Sequence, residues 1–192
     1  ISFLANDQVL LGFDCGPGNI LLDQWIYSNK NLTFDKDGQW ARKGKVVPEL
    51  LNAFFQEPYF KMGLPKSTGR EKFNSNWLDA HRIDLYDAKD VQRTLLELTV
   101  LSIKYAINNF CDGADEVFVC GGGSENNFLM ERLVKIIGIP VNKTDVIGVP
   151  SQHVEAMAFA WLASKTLRAE ANNSPNITGS KGPRILGIIY YP

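Results

Sequence analysis

Gly12-Phe13-Asp14-Cys15-Gly16-Pro17-Gly18-Asn19 stands between two apolar patterns of different period. Val9-Leu10-Leu11 before it is a strand-like run, and Ile20-Leu21-Leu22-Asp23-Gln24-Trp25-Ile26 after it has helical spacing. One carboxylate is therefore expected at a strand end, beside a Gly-Pro-Gly turn that opens a helix. Glycine lets a backbone approach a ligand closely, and a helix's first turn offers unpaired N–H donors that suit phosphate. An acid beside such a cradle is what phosphoryl transfer needs: the acid takes the nucleophile's proton and the donors hold charge. The stretch also fits an ordinary strand–turn–helix corner with a capping Asp or Asn, and taken alone that plainer reading is the stronger one.

Working outward, Ile1–Ala5 and Gln8–Phe13 read as two strands joined by a two-residue turn at Asn6-Asp7. A helix is expected from about Asn19 to Asn29, burying Leu21, Leu22, Trp25 and Ile26. Asn31–Lys45 is polar and reads as a loop with a short helix around Trp40; its Asp35-Lys36-Asp37-Gly38 lacks the further oxygen ligands of a calcium loop. Pro48 suits a first helical turn, Leu50, Leu51, Phe54 and Phe55 give that helix an apolar face, and Pro58 is expected to end it. Leu64-Pro65-Lys66-Ser67-Thr68-Gly69-Arg70-Glu71 suits either an anion or sugar contact or a helix entry, with Ser67 or Thr68 capping a helix over Arg70–Leu78. Asp87 opens the longest helix, whose Val91, Leu95, Leu98, Ser102 and Ala106 share one core-facing stripe. Asp115–Cys120 reads as a buried strand, Gly121-Gly122-Gly123-Ser124 as a turn that either greets a nucleotide or merely reverses the chain, and Asn126–Ile137 as a helix. Pro140–Thr144 is a short strand. A helix over Gln152–Arg168 is expected to bury Val154, Met157, Ala158, Trp161 and Leu162, with Glu155 in its first turn. After a polar loop, Arg184–Tyr191 reads as a final strand. Strands followed by strand–helix alternation, without a repeat or linker, indicate one α/β domain with a mixed sheet.

The chain of 192 residues, with 45% hydrophobic and 21% charged residues, is long enough for one good-sized domain. A formal net charge of −1 gives no reason to expect nucleic acid or an anionic membrane as partner. No apolar run reaches the roughly 20 residues of a membrane span, and Ile1–Leu4 lacks the features of a signal peptide. The first residue is not Met, so a fragment or mature form is expected. Cys15, Cys111 and Cys120 lack Cys-x-x-Cys spacing, and His81 and His153 are the only histidines. Reduced thiols in a cytoplasm are expected, and no protein-held metal site.

Taken together, the motifs resemble the anhydro-N-acetylmuramic acid kinases, part of the superfamily that joins sugar kinases, heat-shock ATPases and actin. The matching pieces are Phe13–Asn19, Leu22-Asp23-Gln24-Trp25, Pro65–Glu71, Val119–Gly123, Thr144-Asp145, Glu155–Ala163 and Ile177-Thr178-Gly179, in order along the whole chain. The resemblance implies an RNase-H-like, actin-like ATPase fold: a mixed central sheet with helices on both faces. It implies that residues 1–192 correspond to the second lobe of a two-lobed kinase. The N-terminal Gly-Thr-Ser-x-Asp-Gly phosphate loop is absent from these residues, so half of the phosphate clamp would have to come from a separate N-terminal domain. Cys15 stands where the family usually has Thr, and a thiol donates a weaker hydrogen bond than a hydroxyl, so a neighbouring contact would be softened.

The reaction implied is ATP-dependent opening of the 1,6-anhydro ring of 1,6-anhydro-N-acetylmuramic acid by water, with phosphorylation of O6. The product is N-acetylmuramic acid 6-phosphate, in peptidoglycan recycling. By the resemblance Asp14 is the general base, Gly16 and Gly18 approach the phosphates, and Gly121, Gly122 and Gly123 sit by the adenosine. Asn19, Lys66, Arg70 and Glu155 are candidates for sugar or cleft contacts. Mg²⁺ would arrive with ATP, held mostly by water and phosphate. A homodimer is left open. The competing expectation is a non-catalytic nucleotide-binding or assembly module of the same fold.

Overall fold

The chain is described by a computed structural model over residues 1–6 and 8–190. Two strands open it, β1 (Ser2–Ala5) and β2 (Gln8–Gly12), paired antiparallel with Ala5 opposite Gln8 and Ser2 opposite Gly12, and with a register shift after Phe3. The pairing agrees with a tight hairpin, although Asp7 of the expected turn lies outside the described residues. The ladder continues past β2, where Phe13 N–H donates to Ile1 O at 3.0 Å. Phe13 is buried and meets Phe110 edge-on at 5.3 Å, so the strand end is pinned and Asp14 emerges from a fixed point.

Helix α1 (Ile20–Lys30) follows, then a 3₁₀ turn and α2 (Gln39–Arg42) around Trp40, α3 (Pro48–Phe55) and α4 (Pro58–Lys61). Pro58 thus opens a further helical turn as well as closing the previous helix, since a first helical position needs no N–H. A short α5 (Ser75–Asp79) is capped by Asn74, whose side chain accepts from Trp77 N–H. The helix expected from Arg70 therefore starts five residues later, and neither Ser67 nor Thr68 caps it.

The longest helix, α6 (Ala88–Phe110), begins at Asp87, whose carboxylate accepts from Lys89 N–H at 3.0 Å. Its stripe of Val91, Leu95, Leu98, Ser102 and Ala106 is buried as the spacing requires. Each fully buried Leu or Val contributes about 1.5–3 kcal/mol. Against this post lie α1, α2, α3 and α7 (Asn127–Ile137). Trp25 Nε1 of α1 donates to Ala88 O at 2.7 Å. Glu97 of α6 accepts from Arg93 at 2.8 Å and from Arg132 of α7 at 2.7 Å, tying two helices through a buried carboxylate. Burial pushes that carboxyl up, but the hydrogen bonds from Arg132 and Arg93 outweigh it and hold it below its usual range.

A parallel pair, β3 (Val117–Val119) and β4 (Val141–Lys143), brackets α7. The described strands form two separate two-stranded sheets rather than the single mixed sheet expected, so the architecture is mixed α/β around a helical core. Val9 and Leu10 of β2 remain in solvent, and the hairpin pairs with no further strand among the described residues.

Two expectations fail at the C-terminal end. Helix α8 (Val154–Leu167) forms, but it buries none of its residues: Met157 is 50% exposed, Phe159 65% and Trp161 53%. Of the positions expected to be buried, only Val154 and Leu162 are half-covered. A short α9 (Pro175–Thr178) follows. Residues 184–190 form no strand; Tyr191 lies outside the described residues. Asn172 holds this segment instead, accepting from Leu186 N–H at 2.6 Å and donating from its own N–H to Arg184 O at 3.0 Å. No helix among the described residues is long and apolar enough to cross a membrane.

Candidate functional site

Asp14 is clasped on three sides by a segment some fifty residues downstream. Its N–H donates to Lys66 O at 3.3 Å, and its carbonyl accepts from Tyr59 Oη at 2.7 Å. Its Oδ2 accepts from Ser67 Oγ at 2.9 Å and from Thr68 N–H at 3.0 Å. Oδ1 has no partner among the described residues, and the side chain is half-buried at the surface rather than sealed in the core. One oxygen is fixed and the other is open, so the carboxylate has one face free to accept a proton. Burial, with Asp14 and Cys15 adding to it, pushes the Tyr59 hydroxyl up to about 12, so it stays a donor. Burial also raises the Cys15 thiol, which keeps it protonated beside the acid.

The turn after Asp14 is seated on α6. Thr99 Oγ1 donates to Gly18 O at 2.8 Å. A Cβ on Gly16 would lie 2.8 Å from Ser102 Oγ and 3.2 Å from the Phe60 ring, so only glycine lets the turn pack this closely. Gly18 has φ +57° with open space around it, a conformation that favours glycine. The N–H groups of Gly16, Gly18 and Asn19 find no backbone acceptor among the described residues, and the Asn19 side chain makes no capping bond. These unpaired donors lie at the head of α1, a set that suits a polyanion.

The second glycine turn meets the first. A Cβ on Gly123 would stand 3.3 Å from the Asn19 amide nitrogen. Gly121 is locked by its N–H to Ser151 O at 2.8 Å and by Ser124 Oγ and Gln152 Nε2 donating to its carbonyl at 2.8 and 2.9 Å. Gly122 and Gly123 keep free N–H groups among the described residues. Between the turns lies a cleft of about 430 Å³, lined by Asn19, Asp23, Phe34, Gly122, Asn126 and Gln152 among others. A neighbouring hollow of about 420 Å³ is bounded by Asp23, Gln24, Tyr27 and Arg70. Asp23 borders both; burial and the carboxylate of Asp35 push it up to about 6.

The expected residues thus separate into groups. Asn19 and Gly122 line one cleft, Gly123 stands against the Asn19 side chain, and Asp14, Gly16, Gly18 and Gly121 line neither hollow. Asp14 meets Lys66 only through the latter's carbonyl. Lys66 is 6% exposed, and its ammonium lies 5.1 Å from the Tyr59 ring centre and 5.3 Å from that of Phe110, where burial lowers its pKa. Arg70 borders the neighbouring hollow, and Glu155 is exposed in the first turn of α8. Sequence reasoning did not assign Ser67 and Thr68 to Asp14, nor Asp23 and Gln152 to the cleft. Only the polarity of the Lys66–Arg70 loop hinted at the first pair. Among the described residues no cluster of His, Cys, Asp and Glu forms a metal cage.

The family model for anhydro-N-acetylmuramic acid kinase matches residues 1–192. Proteins of that name from Pseudomonas syringae pv. tomato and Pseudomonas putida are 48% and 47% identical to the chain over 193 residues, covering 99% of it and 53% of each relative. One from Legionella pneumophila is 42% identical over 191 residues, covering 99% of this chain and 52% of its own length. The chain therefore spans about half the length of the relatives it matches.

Proposed function

The chain belongs to the anhydro-N-acetylmuramic acid kinase family, and on that premise we propose that it serves an ATP-dependent kinase of 1,6-anhydro-N-acetylmuramic acid. In this reading Asp14 Oδ1 takes a proton from the water that attacks the anomeric carbon. The bond from that carbon to O6 breaks, and O6 attacks the γ-phosphorus, giving N-acetylmuramic acid 6-phosphate and ADP. ATP with Mg²⁺ supplies the phosphoryl group; the free N–H groups at Gly16, Gly18 and Asn19 would hold its phosphates, and Gly121–Gly123 would border the nucleoside. Asn19, Arg70 and Glu155 would supply sugar or cleft contacts, and Lys66 would support the loop from beneath. The observation that carries the reading is Asp14 itself, with Oδ2 fixed by two donors and Oδ1 open beside a glycine turn.

The fold proposed is one RNase-H-like lobe working in the cytoplasm against a second lobe. Two facts support a second lobe: relatives are about twice as long, and α8 leaves Met157, Phe159, Trp161 and Leu167 in solvent. Exposed large apolar surface of that kind marks an interface. The test is Asp14→Asn in the gene product that carries this chain. ADP release with the anhydro-sugar should fall at least about a thousandfold while ATP affinity stays within a few-fold. Turnover near the wild-type rate overturns the assignment.

A further inference from the structure

We propose that Ser67 is a positioning residue for Asp14: its hydroxyl holds the base in the one orientation that keeps Oδ1 open. The inference rests on the reading of Asp14 as base. Four bonds fasten Asp14 to the segment 59–68, and they are not equivalent. Tyr59 is buried and Lys66 is sunk against Tyr59 and Phe110, so the two bonds to the Asp14 backbone belong to a rigid foundation. They fix where the Cα stands and leave χ1 and χ2 free. Only Ser67 Oγ and Thr68 N–H reach the side chain, and both converge on Oδ2, at 2.9 and 3.0 Å. One donor sets a direction and two set the plane of the carboxylate.

Ser67 is exposed and holds no core together, so its hydroxyl has no evident packing role. Its neighbour Thr68 contributes a backbone donor that no side-chain substitution removes. Deleting the Ser67 hydroxyl therefore leaves a singly held carboxylate that can rotate, and its reactive oxygen spends less time facing the water. A reacting atom out of line by about 1 Å costs up to about a hundredfold in rate. Substrate binding does not pass through Ser67, so KM should not follow.

The experiment compares Ser67→Ala, Ser67→Thr and Asp14→Asn in the gene product that carries this chain, assayed by ADP release with 1,6-anhydro-N-acetylmuramic acid and ATP. The expected result is a fall in kcat of about ten- to a hundredfold for Ser67→Ala, with both KM values within about twofold. Ser67→Thr should recover kcat to within a few-fold, because it restores the hydroxyl, and Asp14→Asn should fall much further. If Asp14→Asn stays active, the base reading itself fails. If Asp14→Asn is dead and Ser67→Ala keeps the wild-type kcat, the positioning role fails alone. A Ser67→Ala defect that lies in KM, or that Ser67→Thr does not recover, also overturns it.

Discussion

Asp23 gives a test of the cleft that needs no substrate. Its carboxyl is pushed up to about 6 from 3.8 by burial and by the carboxylate of Asp35. The native state therefore binds a proton there that the unfolded chain has already released. Stability falls wherever the native state holds the extra proton, so this contribution is lost as pH rises from about 4 to about 6 and stays lost above. A displacement of about two pH units would correspond to about 3 kcal/mol. Two features shrink it: Asp23 borders two open hollows that admit water, and it lies in the first turn of α1, where the helix dipole favours a negative charge. About 1 kcal/mol is the reasoned net effect. Asp23→Asn keeps the shape and removes the charge. Urea unfolding at pH 7 should find it about 1 kcal/mol more stable than wild type, and the gap should close as pH approaches 4. A variant less stable at pH 7, or a gap that does not change with pH, refutes the reasoning.

Glu97→Ala strands the guanidinium groups of Arg93 and Arg132 between α6 and α7, and should cost about 3 kcal/mol in urea unfolding at pH 7, with Glu97→Gln costing less. Because the Glu97 carboxyl is held below its usual range, that cost should persist down to about pH 4.5 and shrink only in stronger acid. Among the thiols, Cys120 is exposed, while burial raises both Cys15 and Cys111. Iodoacetamide at pH 7.5 should therefore label Cys120 well ahead of the other two, read by peptide mass spectrometry; equal labelling of Cys15 would contradict its burial.

Sequence was most informative where a local rule suffices. Asp87 and Pro48 mark helix starts through chemistry confined to one turn, and both helices begin there. The α6 stripe was legible because period 3.6 names the buried face once a core exists to receive it. The same reasoning failed at α8, where the apolar residues are present but none is buried among the described residues. Periodicity reports what a helix can bury and never what it meets. Residues 184–190 failed for a related reason: a strand is defined by its neighbour, and here the side chain of Asn172 supplies the bonds a neighbour would give.

The candidate site shows why a partly correct reading of a motif can still miss its role. Ser67 and Thr68 were expected to donate or accept near a helix start, and the same small polar chemistry does engage, but with a carboxylate 53 and 54 residues away. Capping and holding a distant carboxylate use one vocabulary: a short side chain or bare N–H set against a localised charge. Sequence spacing fixes the first use because cap and helix are neighbours. The second depends on Phe13 being pinned by Phe110 and on Lys66 sinking beside Tyr59, so that two distant segments arrive at one carboxylate. The two glycine turns follow the same logic. Each was legible as a bundle of free donors, but their juxtaposition at Asn19 and Gly123 comes from α6, which seats one turn through Thr99 and Ser102, and from the Ser151–Gly121 bond, which seats the other. The chemistry of such a site is written locally, and its assembly is written in the core.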